Sequence, residues 1–258
     1  MTSSPFLAAI DLAITASATL FATDSPKDTR CFELRVYTAA DGKLDALHAR
    51  FRDHTCKLFE KHGMTNIGYW VPLENTEHKL YYILAYPSRD ARAKSWKEFM
   101  ADPDWKAAQA ASEKDGKLVT HVESTFLHAT DFSPEIKPAT DGEPRVFELR
   151  TYTASPGNLE LLHARFRDHT IALFAKHGMT NLGYWSLDAD QKGAGDTLVY
   201  LLAHKSKQAR DDSFKVFGAD PEWQAAKAAS EKAGRGSLTA PDGVKSVLLS
   251  PTDYSPTK

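Results

Sequence analysis

The octet HARFRDHT occurs twice, at residues 48–55 and again at 163–170. Around it, residues 32–70 align without a gap with 147–185, and 29 of those 39 positions are identical. Past Trp70 the register shifts by three, because the second copy carries the longer connection SLDADQKGAGD. YYILAY at 81–86 then matches VYLLAH at 199–204, and ADPDWKAAQAASEK at 101–114 matches ADPEWQAAKAASEK at 219–232. TDFSP at 130–134 matches TDYSP at 252–256. Solenoids repeat every 20–50 residues or so; a period above one hundred instead predicts two tandem, domain-sized units.

The expected units are 29–134 and 144–258, joined by a linker at 135–143 that is rich in Pro and charge. Residues 1–28 stand apart. FLAAIDLAITASATLFA is apolar except for Asp11 and a few hydroxyls, and Ala-Ser-Ala at 16–18 and Ala22 within it offer small-residue cleavage sites. No Lys or Arg precedes it, so it reads as a degenerate export signal to the periplasm or medium. The alternative is an N-terminal extension on a cytoplasmic protein.

Each copy reads as β-α-β-β-α-β. CFELRVYT alternates apolar and polar, as a strand does. Asp41-Gly42 turns into a helix over about 43–62 whose stripe is Leu44, Leu47, Phe51 and Leu58, and Gly63 stops it. Two strands follow, then a helix capped by Ser88 and another begun by Asp102-Pro103. HVESTFLH is the last strand. That order predicts an α+β fold: two tandem ferredoxin-like domains, each an antiparallel sheet with helices on one face.

The other sheet face must also be covered. Phe32, Leu34 and Val36 are expected to meet the helices, which turns Glu33, Arg35 and Tyr37 away from them, with Glu148, Arg150 and Tyr152 in the second copy. Aromatics crowd the remaining strands, and a sheet so rich in them does not stay bare. Face-to-face packing of the two sheets, as an intramolecular barrel, is the expected solution. Its interior would be lined by Glu, Arg, Tyr and Trp.

Net charge is −2 with both signs interleaved, so no nucleic-acid partner is expected. No apolar run reaches the roughly 20 residues of a membrane helix. Cys31 and Cys56 correspond to Val146 and Ile171, so they read as small buried hydrophobes. His48 and His54 are not spaced to share an ion, and no Cys joins them, so no metal is expected. No phosphate loop or nucleophile elbow is present, and no cofactor is called for.

Two clusters are candidates for chemistry. His54 and His169 lie within a turn of the helix stripe and are expected to be half buried. Such a His is either a core residue satisfied by a carbonyl or a Tyr hydroxyl, or a general base. Glu33, Arg35 and Tyr37, with Trp70, are either a polar network fixing sheet register or a ligand pocket in which Arg35 meets an anionic oxygen. Glu148, Arg150, Tyr152 and Trp185 repeat the set. His62 and His177 read as helix-end capping residues. Arg92 and Arg210 are retained in a stretch, 87–100 against 205–218, where only 6 of 14 positions match, which hints at a structural bond.

FELRVYT, ARFRDHT, KHGMTNIGYW and ADPDW, in this order and twice, resemble the bacterial NIPSNAP domain of the dimeric α/β-barrel superfamily. The resemblance covers nearly all of 32–134 and 147–256. It implies that domains which usually pair as dimers are fused here into one barrel. Relatives in that superfamily include cofactor-independent monooxygenases, haem enzymes and stress-responsive proteins, so the resemblance narrows fold more than function. Three functions stand open: a small-molecule binder, an oxygenase or isomerase using His54 or His169 as base and Arg35 or Arg150 as anion stabiliser, and an interaction scaffold with a solid barrel core.

Overall fold

A computed structural model describes residues 28–139 and 145–258. Residues 1–27, within the segment expected to be an export signal or N-terminal extension, and residues 140–144, at the end of the expected linker and the start of the second unit, lie outside the described residues. Within them, the N-terminal half runs β1 (Cys31–Ala39), α1 (Leu44–Arg50), α2 (Cys56–Lys61), β2 (Thr65–Pro72), β3 (Lys79–Tyr86), α3 (Arg89–Ala101), α4 (Pro103–Ser112) and β4 (Val119–Ala129). The C-terminal half repeats it as β5 (Val146–Ala154), α5 (Leu159–Arg165), α6 (Ile171–Lys176), β6 (Thr180–Leu187), β7 (Thr197–His204), α7 (Lys207–Ala219), α8 (Pro221–Ala233) and β8 (Thr239–Pro251).

The local signals act as their chemistry requires. Ser88 Oγ accepts from the Ala91 N–H at 3.1 Å, and Asp102 accepts from the Asp104 N–H at 2.8 Å ahead of Pro103. Gly63 and Gly178 end their helices at φ of 74° and 78°, which a side chain would strain.

The eight strands close one antiparallel barrel in the order β1-β3-β2-β8-β5-β7-β6-β4. Within each half the strands pair along most of their length, with a few bulges: Phe32 opposes Ala85 and Leu127, as Phe147 opposes Ala203 and Leu249. Two short seams join the halves, Trp70–Pro72 of β2 against β8 and Leu127–Ala129 of β4 against β6. The expected intramolecular barrel is therefore present.

Its faces are the reverse of those expected. Phe32, Trp70, Ile83, Leu127, Phe147, Trp185, Val199, Leu201 and Leu249 form one buried apolar cluster drawn from both halves. This is the barrel interior. Phe32 meets Trp185 at 5.9 Å and Trp70 meets Phe147 at 5.6 Å between ring centroids. Trp70 lies over its own strand at Gly68, where a Cβ would stand 2.2 Å from the indole; Trp185 repeats this at Gly183. Glu33, Arg35 and Tyr37 are on the opposite face, beneath the helices, with Tyr82, Tyr86, Leu47, Phe51 and Phe59. A period of two assigns residues to faces but does not say which face a helix covers. Here the hydrophobic faces found each other, and the charged row found partners on the helices.

The repeated octet is a packing element with an unusual backbone. Phe51–Thr55 and Phe166–Thr170 are π-helical turns inserted between α1 and α2 and between α5 and α6. The Cys56 N–H reaches back to the Phe51 carbonyl. Thr55 Oγ1 donates to the Arg50 carbonyl at 3.1 Å, and Thr170 Oγ1 to the Arg165 carbonyl at 3.0 Å. The hydroxyl thus satisfies a carbonyl that the wider turn has displaced from its α-helical partner.

The TD[FY]SP motifs are exchanged between halves. Tyr254 stacks on Phe51 and its hydroxyl lies 2.8 Å from His48 Nδ1, while Asp253 pairs with Arg52. Reciprocally, Phe132 packs on His163 and Tyr184, and Asp131 pairs with Arg167. Ser255 and Ser133 accept from the backbone N–H of Tyr69 and Tyr184. Each half therefore supports the octet of the other.

Candidate functional site

Glu33 is the centre of the charged row and is fully buried. Arg35 Nη1 donates to it at 2.5 Å, Arg92 from α3 grips it through Nε at 3.0 Å and Nη2 at 2.7 Å, and Tyr86 and Ser124 donate at 2.9 and 2.6 Å. Burial alone would raise its pKa, but the Arg92 hydrogen bonds and the Arg35 charge outweigh this and hold the carboxyl down at about 2. Trp96 on α3 donates to the Tyr86 hydroxyl and lies over the Arg35 guanidinium, 4.4 Å from ring centroid to Cζ. Arg35 also donates to Tyr82 at 2.8 Å and to Tyr37 at 3.3 Å.

The second half repeats this with substitutions. Glu148 accepts from Arg150, from Arg210 at 3.0 and 2.6 Å, and from Ser246 at 2.5 Å. His204 takes the place of Tyr86 and stands 3.3 Å from Glu148 Oε2 without closing a well-angled hydrogen bond. Despite burial, the Arg210 hydrogen bonds, the Arg150 charge and the Ser246 hydroxyl hold Glu148 well below the usual carboxylate range. Arg92 and Arg210, the two guanidiniums retained in the drifting segment, are the partners that let a carboxylate lie beneath helices.

Above each network, between sheet and helices, opens a cleft. The first has a volume of about 390 Å³. Arg35 and Tyr37 form its floor; Phe51, Phe59, Trp96, Phe99 and Trp105 line its walls. Arg50 enters from the octet, pairs with Glu113 at 2.9 Å and lies over Trp105 at 5.2 Å. Arg50 Nε and Trp105 Nε1 are buried N–H groups without a partner. Lys117, Thr120, His121 and Val122 rim the mouth, with Met100 opposite. The second cleft, about 240 Å³, has Arg150 and Tyr152 as floor and Phe166, Phe174, Phe214, Phe217 and Trp223 as walls, with Arg165 from the second octet.

Counting the groups in and directly under the first cleft, Arg35, Arg50, Arg92 and Lys117 face two carboxylates, Glu33 and Glu113. That leaves an excess of two positive charges against aromatic walls. The chemistry such a place offers is binding of a planar anion, its charge met by guanidinium and its ring by indole.

The residues expected to form one pocket are thus divided. Arg35, Tyr37, Arg150 and Tyr152 reach the clefts; Glu33 and Glu148 lie beneath, fully consumed by their partners. Trp70 and Trp185 are in the barrel interior, on the other side of the sheet. The expected cavity between the two sheets is replaced by apolar packing. His54 and His169 are exposed rather than half buried and line neither of these clefts; His169 borders a separate depression with Lys176 and Glu222. The π turn widens the helix repeat over Phe51–Thr55 and Phe166–Thr170, so a projection at 100° per residue misplaces the histidines within it. His62 and His177 do close helix ends, against Asp102 and Asp220 at 2.7 Å each.

Sequence reasoning missed Trp96, Trp105, Arg50 and Arg165 as cleft residues. The pairing of Trp105 with Trp223 and of Arg50 with Arg165 across the repeat was the available signal. Cys31 and Cys56 are free, and burial pushes their thiols up to about 11 and 12. Among the described residues no group of three His, Cys, Asp or Glu is arranged to hold a metal, and no helix is long and apolar enough to cross a membrane.

Comparison with known proteins fits this architecture. The NIPSNAP family profile matches residues 32–134 and 147–256. No curated protein matches the sequence. Two solved bacterial structures described as putative monooxygenases share the fold. The one from Fusobacterium nucleatum has 10% identity and a TM-score of 0.59, covering 86% of this chain and 92% of its own. The one from Lactobacillus acidophilus has 13% identity and a TM-score of 0.52, covering 86% and 94%. An anthrone oxidase-like protein aligns at 14% identity with a TM-score of 0.55, covering 90% and 95%.

Proposed function

The chain belongs to the NIPSNAP family, and from that premise we propose that it binds a planar, anionic or enolisable aromatic molecule in the clefts between sheet and helices. The observation that carries this is the first cleft: a cavity of ligand size with aromatic walls, a guanidinium floor and an excess of positive charge. Arg35, Tyr37 and Arg50 would face the ligand's anionic end, Lys117 would add to the attraction at the mouth, and Trp96 and Trp105 would line its ring. Glu33 would act indirectly, by fixing the Arg35 guanidinium in place. Each half, with strand order β4-β1-β3-β2 or its repeat, is read further as a ferredoxin-like unit.

Isothermal titration of the full chain with 2-naphthoate, an aromatic carboxylate, tests the proposal. Binding that weakens at least tenfold in Arg50→Gln supports it. Absence of heat up to millimolar ligand, or binding indifferent to Arg50, overturns it.

A second reading makes the same cleft catalytic, as a cofactor-independent oxygenase or isomerase. The Tyr37 hydroxyl beside Arg35 favours it, since the pair could stabilise an enolate oxygen as it forms. Turnover of an enolisable aromatic ketone that is lost in Tyr37→Phe would establish this reading; turnover unchanged in that variant would exclude it. Export through residues 1–28 is also proposed, and intact mass of the mature protein decides it. A chain lacking those residues agrees, and a retained Met1 does not.

A further inference from the structure

We infer that the two clefts are not equivalent: the N-terminal one is the binding site, and the C-terminal one has been closed down to a structural remnant. This rests on the proposed binding of an aromatic anion and adds its place and stoichiometry, one ligand per chain.

Three differences carry it. The first is in the last strand of each half. In β4, Thr120 and His121 separate Val119, paired with Ala39, from Val122, paired with Tyr37. In β8 the corresponding residues are Thr239, paired with Ala154, and Val244, paired with Tyr152, and four residues, Ala240–Gly243, separate them. The bulge is tightly folded. Asp242 takes φ of 55°, and a Cβ on Gly243 would stand 2.6 Å from the Thr153 carbonyl oxygen and 2.9 Å from that of Ala240. It occupies, in the second half, the edge equivalent to the one at which the first cleft opens, and no counterpart of Thr120 or His121 lines the second mouth.

The second difference is in the wall. Trp96, whose indole lies over Arg35 and is fixed by the Tyr86 hydroxyl, is replaced by Phe214, and Tyr86 by His204. The ring over the guanidinium loses both its larger face and its hydrogen bond. The third is the room left: about 390 Å³ in the first cleft against 240 Å³ in the second, the latter below the usual size of a ligand pocket.

The rim of the first cleft also narrows the ligand class. Met100 and Val122 are exposed at 49% and 42%, at the mouth of an otherwise cationic cleft. A ligand with its anionic end on Arg35 and Arg50 would leave past these two side chains. The class that fits is a fused-ring aromatic carboxylate or enolate whose far end is apolar.

Calorimetry of the full chain with 2-naphthoate separates the outcomes. The expected result is a stoichiometry of one, with affinity at least tenfold weaker in Lys117→Glu/His121→Glu and unchanged within twofold in Lys227→Glu at the second cleft. These rim residues are exposed, so folding is not at stake. A stoichiometry of two, or a Lys227→Glu effect equal to the first, overturns the inequality of the clefts while leaving the binding function standing. Absence of binding by the unaltered chain overturns both. Replacing 2-naphthoate with cyclohexane acetate should lose most of the affinity; equal affinity would refute the aromatic class.

Discussion

At the scale of single residues, the decisive feature is a carboxylate buried under helices. Glu33 is stable there because five hydrogen bonds converge on it, three of them from two guanidiniums on different elements. Breaking a buried pair on one side costs more than the pair is worth, because it strands the other charges. Glu33→Gln should therefore lower unfolding free energy by about 3 kcal/mol, measured by urea denaturation at pH 7. The same carboxyl makes stability depend on acid. Its folded pKa is held at about 2 against an ordinary 4.5, so its contribution is complete above 4.5 and is lost as pH falls toward 2. Acid titration followed by circular dichroism should show the slope between pH 4.5 and 2 flatten in Glu33→Gln. An unchanged slope would assign the acid sensitivity elsewhere. The composition of this site was legible in the alternation of β1, but its location was not. Both faces of β1 are buried, and alternation alone cannot rank them. Arg92 held the missing information: a guanidinium retained on a helix calls for a carboxylate beneath that helix.

At the scale of elements, the octet shows what spacing can and cannot disclose. Its stripe of Leu47, Phe51 and Leu58 is buried as expected, and the helix begins and ends within a residue of the expected limits. What spacing hid was the π turn, which depends on a side-chain hydroxyl rather than on hydrophobic period. With that turn in place, His54 is directed to solvent and Thr55 to the cleft. His54→Ala should leave stability within about 0.5 kcal/mol of the parent and 2-naphthoate affinity unchanged. Thr55→Val, equal in shape but without the hydroxyl, should cost about 1 kcal/mol and weaken binding, because Arg50 loses its anchored carbonyl. Reversal of these two results by calorimetry would restore the histidine as a site residue.

At the scale of the whole molecule, duplication allowed the halves to exchange parts. The seams between them hold few strand pairs, so the exchanged tails and the aromatic interior carry the union. Tyr254 touches Phe51, Tyr69 and His48, all in the other half. Tyr254→Ala should destabilise the protein by about 2–4 kcal/mol, and hydrogen exchange should report the loss at α1 and β2, far away in sequence. Exchange confined to the C-terminal half would deny the clasp. The repeat made the barrel legible, since two copies with two bare faces have an economical way to cover them. It left open which faces met, and that choice puts Arg35 and Arg150 in the clefts under the helices and leaves the interior to apolar packing.

Nuclear Overhauser contacts of selectively labelled aromatic rings measure that choice most directly. The barrel predicts contacts between the Phe32 and Trp185 rings and between Trp70 and Phe147, together with a contact between the Trp96 indole and the Arg35 side chain. Contacts of Trp70 or Trp185 with Arg35 or Arg150, in place of these, would put the charged row inside the barrel and contradict the clefts as the site.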